Sequence, residues 1–149
     1  MYRFLLCLAL VFSLSPLVAA GEAAPQKNLE WKAGAASAKI TPEKPLKMAG
    51  YAGRKEPAEG TEQDLYAKAL AVEDQQGNRV VFLTLDLIGV IDRLRSDVTS
   101  QIQEKYKLPP AAILMNASHT HCGPAYGRDD AQEYYDWLSA TLVKTIGQA

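Results

Sequence analysis

The chain contains two histidines, and they lie one residue apart in the segment NASHTHCGP at residues 116–124. This segment follows the short apolar run AAILM and ends in a Gly-Pro pair. If a strand continued from Ala112 to His121, its two-residue period would place His119 and His121 on the same side. Two imidazoles that face one volume are suitable zinc ligands, and a catalytic zinc site needs three protein ligands and one open position. We therefore predict a metal site at the end of this strand.

The His-x-His pattern has another interpretation, because two surface histidines that form ordinary hydrogen bonds give the same spacing. Cys122 directly follows the pair. Strand alternation points its thiol away from both imidazoles, and free cysteine is commonly buried. We predict that Cys122 is a small buried residue rather than an additional soft metal ligand.

The strands that would position this pair are visible as short runs of β-forming residues. WKAGAASAKITP predicts a first strand that ends before Pro42. LYAKALAVED and RVVFLTLDLIGV predict a hairpin, since the QQGN segment between them contains Gly77 and Asn78, which adopt the positive φ angles of a tight turn. AAILMNAS predicts a further strand, buried because it is short and apolar.

Two segments have the spacing of amphipathic helices. IDRLRSDVTSQIQEKYKL places apolar residues at helical intervals and is followed by Pro109 and Pro110, which should end the helix. DDAQEYYDWLSATLVKTIGQ opens with Asp130 and Glu133 in capping-box spacing. The apolar stripes of the two helices comprise Ile91, Leu94, Val98 and Ile102, and Tyr134, Leu138, Leu142 and Ile146. The predicted fold class is α/β, a mixed sheet with a β-hairpin and flanking helices.

The segment EKPLKMAGYAGRKEPAEGTEQ is long for a connection and rich in Gly, Pro and charge, which is typical of a functional loop. Within it, Gly50 and Gly53 flank Tyr51. These glycines would let backbone N–H groups approach a substrate, or they belong to an ordinary turn. Asp86 ends the FLTLD run. It is either a carboxylate that orients a metal-binding histidine or a solvated aspartate at a strand end.

The first 20 residues have a basic lead, an apolar run and small residues before Gly21, the pattern of a cleaved secretory signal peptide. We therefore expect a secreted or periplasmic protein, with a linker at 21–32 and a domain at 33–149. Cleavage would remove Cys7 and leave Cys122 without an internal disulfide partner. With 16 Lys and Arg against 17 Asp and Glu, the chain has no basic excess that would favour nucleic acid.

Five segments, in order, resemble the neutral and alkaline ceramidases of the non-lysosomal type, at the N-terminal part of their catalytic domain. They are AGAASAKITP, MAGYAGR, GTEQDLYAKALAVED, FLTLDLIG and ILMNASHTHCGP. The last is similar to the family's Thr-His-Thr-His-Ser-Gly-Pro motif, with Cys122 where the family typically has Ser. The similarity extends over residues 33–124.

This resemblance implies a zinc-dependent amidase that cleaves N-acylsphingosine to a fatty acid and sphingosine. His119 would be a zinc ligand, and His121 would be a second ligand or a catalytic group that orients the water and the oxyanion. Apart from the resemblance, its place at the strand end leads us to predict Asp86 as a catalytic carboxylate that orients a metal-binding histidine. Apart from the resemblance, the length of the loop leads us to predict that Gly50, Tyr51 and Gly53 contact the substrate. The lipid-like amide substrate also leaves open a peripheral contact with a membrane surface.

The family takes a further histidine, a glutamate and a tyrosine as zinc ligands from later parts of a much longer domain. We therefore expect residues 33–149 to be an incomplete portion of a larger zinc amidase domain, with an apolar face exposed on the last helix or at a sheet edge. The oligomeric state stays open. The alternatives are an exported metal-dependent hydrolase of another substrate and a non-catalytic exported domain.

Overall fold

The structure is a computed structural model that describes residues 30–149. The predicted signal peptide and linker positions 21–29 lie outside the described residues. The helices and strands are β1 (Lys32–Lys39), β2 (Tyr66–Glu73), β3 (Arg79–Leu85), α1 (Asp92–Tyr106), β4 (Ile113–Ala117) and α2 (Gln132–Gln148). Two short 3-10 turns, Pro110–Ala112 and Asp129–Ala131, precede β4 and α2.

The four strands form one mixed sheet in the order β1-β2-β3-β4. The β1–β2 and β2–β3 pairs are antiparallel, whereas β3 and β4 are parallel. The predicted hairpin between β2 and β3 is confirmed. Its turn has Gly77 at φ 86°, and the Asp74 carboxylate accepts hydrogen bonds from the backbone N–H groups of Gln76 and Asn78. Because β3 and β4 are parallel, their carboxyl ends, at Leu85 and Ala117, lie side by side at one end of the sheet.

Both helices pack on one face of the sheet and form the core with it. Most of the predicted helix stripes are buried, although Ile91 is exposed. The fully buried side chains of β3, α1 and α2 include Leu83, Leu85, Leu94, Val98, Ile102, Leu138 and Leu142. No helix within residues 30–149 is long and apolar enough to cross a membrane.

The opposite face of the sheet, which we call the outer face, carries an exposed apolar row. Ala35 pairs with Leu70, Leu70 with Phe82, and Phe82 with Leu114, so the row crosses all four strands. The exposed fractions are 43% for Leu70, 42% for Phe82 and 53% for Leu114. This exposed apolar row lies on a sheet face, whereas the sequence led us to expect it on the last helix or at a sheet edge.

Three local expectations are wrong. β4 is not buried, because only Ile113 of its five residues is shielded from solvent. α1 ends at Tyr106, because the next residue, Lys107, has a left-handed φ of 58° and stops the helix before Pro109. The predicted capping box does not form, because the cap position of α2 is Ala131 and makes no side-chain cap hydrogen bond. The Asp130 carboxylate instead pairs with Lys47.

Candidate active site

The two histidines lie beyond the end of β4, in a segment that continues to run alongside the end of β3. β4 stops at Ala117, so the predicted continuation of the strand to His121 is wrong. The N–H of Ser118 donates to the Leu85 carbonyl at 3.0 Å, and the N–H of Thr120 donates to the Leu87 carbonyl at 3.1 Å. These two hydrogen bonds tie the segment to the end of β3 and to the residues just after it.

His119 is held in an uncommon backbone state and in a defined ring orientation. Its φ is 59°, in the left-handed region, where histidine is enriched among non-glycine residues. Its Nδ1 lies 2.7 Å from the Ile88 carbonyl oxygen. Because a carbonyl only accepts, Nδ1 must carry the proton, and the lone pair of the neutral ring is then on Nε2. A zinc-binding histidine is commonly oriented in this way.

The two imidazoles are close although the strand does not continue. Their ring centroids are 5.0 Å apart with an interplanar angle of 63°. The predicted proximity of the two rings is therefore observed. It does not come from strand alternation, because β4 ends at Ala117 and His119 has a left-handed backbone conformation. His121 also makes an edge-to-face contact with Tyr51, at 4.9 Å between ring centroids and 83° between planes.

The long loop between β1 and β2 brings Tyr51 to this position. Its backbone forms isolated bridges between Lys47 and Pro57 and between Met48 and Pro124. The N–H of Ala49 donates to the Gly123 carbonyl at 2.9 Å, and the N–H of Ala125 donates to the Lys47 carbonyl at 2.7 Å. The MAGYAGR and HTHCGP segments, far apart in sequence, are thus paired directly through backbone hydrogen bonds.

Arg54 is a residue of the site that the sequence analysis did not single out. Its guanidinium lies 4.6 Å from the centre of the Tyr51 ring, and Nη1 donates to the His121 carbonyl at 2.9 Å. Nη2 is 4.0 Å from the Cys122 sulfur. The available signal was its place in MAGYAGR, three residues after Tyr51, where a cation can stack on the ring.

Asp86 makes a contact different from the predicted one. Its Oδ2 accepts a hydrogen bond from the Tyr66 N–H at 2.9 Å, and its own N–H donates to the Tyr66 carbonyl at 3.0 Å. The side chain therefore fastens the end of β3 to the start of β2. The ring of His119 is oriented by the Ile88 carbonyl instead.

Cys122 is exposed, so the prediction of a buried cysteine is wrong. The chain leaves strand geometry before residue 122, and the alternation argument does not apply there. A groove of about 1380 Å³ lies beside this residue, between the β1–β2 loop and the segment after β4. Its walls include Arg54, Asp86, Thr120 and Cys122.

A known protein family matches the part of the chain that contains these motifs. The family model described as neutral/alkaline non-lysosomal ceramidase, N-terminal, matches residues 31–134. The chain belongs to this ceramidase family. Both histidines and the whole loop that contacts them lie within the matched residues.

Similar proteins include neutral ceramidases from flies and a plant. The protein from Drosophila melanogaster is 32% identical over 97 residues, which is 63% of this chain and 14% of that protein. Neutral ceramidase 2 of Arabidopsis thaliana is 35% identical over 100 residues, or 61% of this chain and 12% of that protein. The chain therefore spans only about an eighth of the length of these ceramidases.

Solved structures show the same fold. The neutral ceramidase from Pseudomonas aeruginosa superposes with a TM-score of 0.70 at 22% identity, covering 82% of this chain and 22% of that one. A structure described as a ceramidase complexed with C2 gives a TM-score of 0.67 at 23% identity. It covers 82% of this chain and 21% of that one. The mixed sheet with flanking helices is thus a fold shared with solved ceramidases.

The histidine pair fits part of a zinc coordination shell. Within residues 30–149, no group of three or more His, Cys, Asp and Glu side chains is arranged to hold a metal ion. Two imidazoles with centroids 5.0 Å apart, one of them with Nδ1 engaged by a carbonyl, are a suitable donor set for two positions. A third protein ligand would have to come from elsewhere.

Proposed function

We propose that this chain contributes to a zinc-dependent amide hydrolase of the ceramidase type, which cleaves N-acylsphingosine to a fatty acid and sphingosine. The observation that carries the proposal is the hydrogen bond of 2.7 Å from His119 Nδ1 to the Ile88 carbonyl, beside a second imidazole. It leaves Nε2 as the donor atom, as a zinc ligand requires. Membership of the ceramidase family supports the reaction.

Each residue has a distinct role in this proposal. His119 Nε2 and the His121 ring would hold the ion, or His121 would instead hold and orient the attacking water. Zinc, when bound, polarises the amide carbonyl and activates water. The predicted substrate contacts of Gly50, Tyr51 and Gly53 and the catalytic role of Asp86 stay predictions. We also infer export through residues 1–20, a lipid-like amide substrate and peripheral contact with a membrane surface.

We further propose that residues 33–149 supply only part of the catalytic unit. The support is that the matched ceramidases are about seven to eight times longer than the aligned segment, and that residues 30–149 contain no group of three or more side chains arranged to hold a metal ion. The remaining ligands then come from polypeptide outside this chain. Activity is accordingly expected of a longer protein that contains this segment.

Zinc binding is tested on this chain by comparing the wild type with His119→Asn. Asparagine removes the imidazole and tolerates the left-handed backbone, so the variant is expected to fold. Zinc stoichiometry measured by mass spectrometry after equilibrium dialysis should fall in the variant. Equal zinc in both proteins would contradict the assignment.

The substrate class is tested on a longer protein that includes residues 33–149. Ceramide, short N-acyl amino acids and peptides are offered in parallel, and released amine is quantified. Fatty acid release from ceramide alone supports the proposal. Release from the other amides alone indicates a metal-dependent hydrolase of another substrate, and zinc binding without any turnover indicates a non-catalytic domain.

A further inference from the structure

Three residues of the β1–β2 loop contact His121 from different sides. We call Gly50, Tyr51 and Arg54 the 50–54 clamp. Gly50 lies against the His121 backbone and ring base, Tyr51 against the ring, and Arg54 against the carbonyl. A loop that reaches across the chain to one histidine in this way fixes where that histidine lies.

The contact at Gly50 leaves no space for a side chain. A β-carbon at position 50 would lie 2.5 Å from Cγ, 2.6 Å from Cβ and 2.7 Å from Cα of His121. The φ of Gly50 is 102°, which side chains rarely adopt. Gly53, in the same loop, has no atom within 4 Å of such a β-carbon. The requirement for glycine is therefore specific to the position beneath His121.

Tyr51 and Arg54 fix the remaining freedom of His121. The edge-to-face contact with Tyr51 favours one ring orientation over a rotated one. The Arg54 guanidinium stacks on the Tyr51 ring and also donates a hydrogen bond to the His121 carbonyl at 2.9 Å. One guanidinium thus links the backbone position of His121 to the position of the ring that packs on it.

His119 has a separate anchor. Its Nδ1 is held by the Ile88 carbonyl, which follows β3, and not by the loop. The distance of 5.0 Å between the two imidazoles is consequently set by where the loop lies relative to the end of β3. A change in the loop should move one histidine and leave the other in place.

We propose that Gly50, Tyr51 and Arg54 are positioning residues that hold His121 at its distance from His119. The inference rests on the proposed function for the importance of that distance, but the positions themselves are measurable without metal or substrate. The role differs from the substrate contact predicted for Gly50 and Tyr51. It also gives a role to Arg54.

The first experiment is NMR spectroscopy of the isotopically labelled full chain. The wild type should show cross-relaxation between the ring protons of Tyr51 and those of His121. Gly50→Ala should abolish these signals and shift the His121 backbone and ring resonances, while the backbone resonances of His119, whose ring is held by the Ile88 carbonyl, should shift much less. Gly53→Ala is the matched control and should preserve every signal. Retention of the Tyr51–His121 signals in Gly50→Ala would overturn the proposal.

Arg54 provides an independent variant if Gly50→Ala does not fold. Arg54→Ala should shift the His121 resonances, Arg54→Lys should restore them in part, and the neighbouring Lys55→Ala should change neither histidine. Equal shifts of both histidines in Arg54→Ala would indicate a general structural role and contradict the proposal.

Zinc titration of the same proteins separates this inference from the proposed function. Loss of a residue that orients a ligand typically weakens metal binding about 10–100-fold, and we expect that range for Gly50→Ala against Gly53→Ala. If the NMR signals move as expected but neither protein binds zinc, the positioning role stands and the zinc proposal fails. If zinc binds equally well to both, the clamp does not position a ligand.

Discussion

Replacement of Tyr126 by phenylalanine is expected to destabilise the chain and loosen the anchor of His119. The Tyr126 side chain is 2% exposed. Its hydroxyl donates to the Gly89 carbonyl at 2.7 Å and accepts from the Ile91 N–H at 3.2 Å. These two partners lie just after Ile88, whose carbonyl holds His119. One hydroxyl therefore joins the chain after the histidines to the connection between β3 and α1.

The magnitude follows from the two hydrogen bonds. Each contributes about 1 kcal/mol, so the loss of both should lower the free energy of unfolding by about 2 kcal/mol. For a protein near 150 residues, 1 kcal/mol corresponds to roughly 2–4 °C in the midpoint of thermal unfolding. Tyr126→Phe should therefore lower this midpoint by roughly 4–8 °C.

The assay is urea unfolding followed by circular dichroism, with His119 ring resonances recorded in parallel. Tyr66→Phe is the control, because the Tyr66 side chain is 37% exposed. The control should change the unfolding free energy by less than about 0.5 kcal/mol. If Tyr126→Phe unfolds at the same urea concentration as Tyr66→Phe, the hydroxyl does not stabilise the fold and the reasoning is refuted.

Three further predictions concern other parts of the molecule. Leu114→Lys should reduce binding of an apolar dye to the outer face. Because Leu114 is 53% exposed, the substitution should change the unfolding free energy by at most about 0.5 kcal/mol. Undiminished dye fluorescence would show that the dye does not bind to this face. The Tyr134 hydroxyl donates to the Ile40 carbonyl at 2.6 Å, and burial raises the pKa of this tyrosine. Its contribution to the stability of the fold is therefore complete below the unfolded tyrosine pKa of about 10 and is lost as pH rises towards the folded pKa. Unfolding measured between pH 8 and about pH 12 should therefore depend on pH less in Tyr134→Phe than in the wild type, and equal slopes would count against the burial effect. The Cys122 thiol should react with a maleimide in the folded chain, and mass spectrometry that finds it protected until denaturant is added would contradict its exposure.

The elements of the fold could be predicted because each depends on local pattern. Gly77 in a four-residue connector specified the hairpin, and the stripes through Val98 and Leu142 specified which side of each helix is buried. Their ends were less predictable. Lys107 ends α1 through a backbone state that no residue type near it required, and Asp130 pairs across the molecule instead of capping α2.

The histidine pair shows what a sequence pattern can and cannot give. Its spacing indicated two converging rings, but strand periodicity failed because β4 stops at Ala117. The contacts that determine the site join positions far apart in sequence, such as Ile88 with His119 and Arg54 with His121. A hydrogen bond to a backbone carbonyl cannot be predicted from residue type. The sequence therefore suggested the Asp86 carboxylate as the group that orients a histidine, whereas the Ile88 carbonyl orients His119.

The parallel pairing of β3 with β4 has a consequence for the order in which the molecule assembles. β2 and β3 are joined by a short turn and meet at low loop-closure cost, whereas β4 reaches β3 only after the chain has passed through α1. Both histidines follow β4, and the loop that holds His121 begins before β2. The groups proposed to bind zinc are therefore expected to come together late in folding, after the hairpin and α1 have formed.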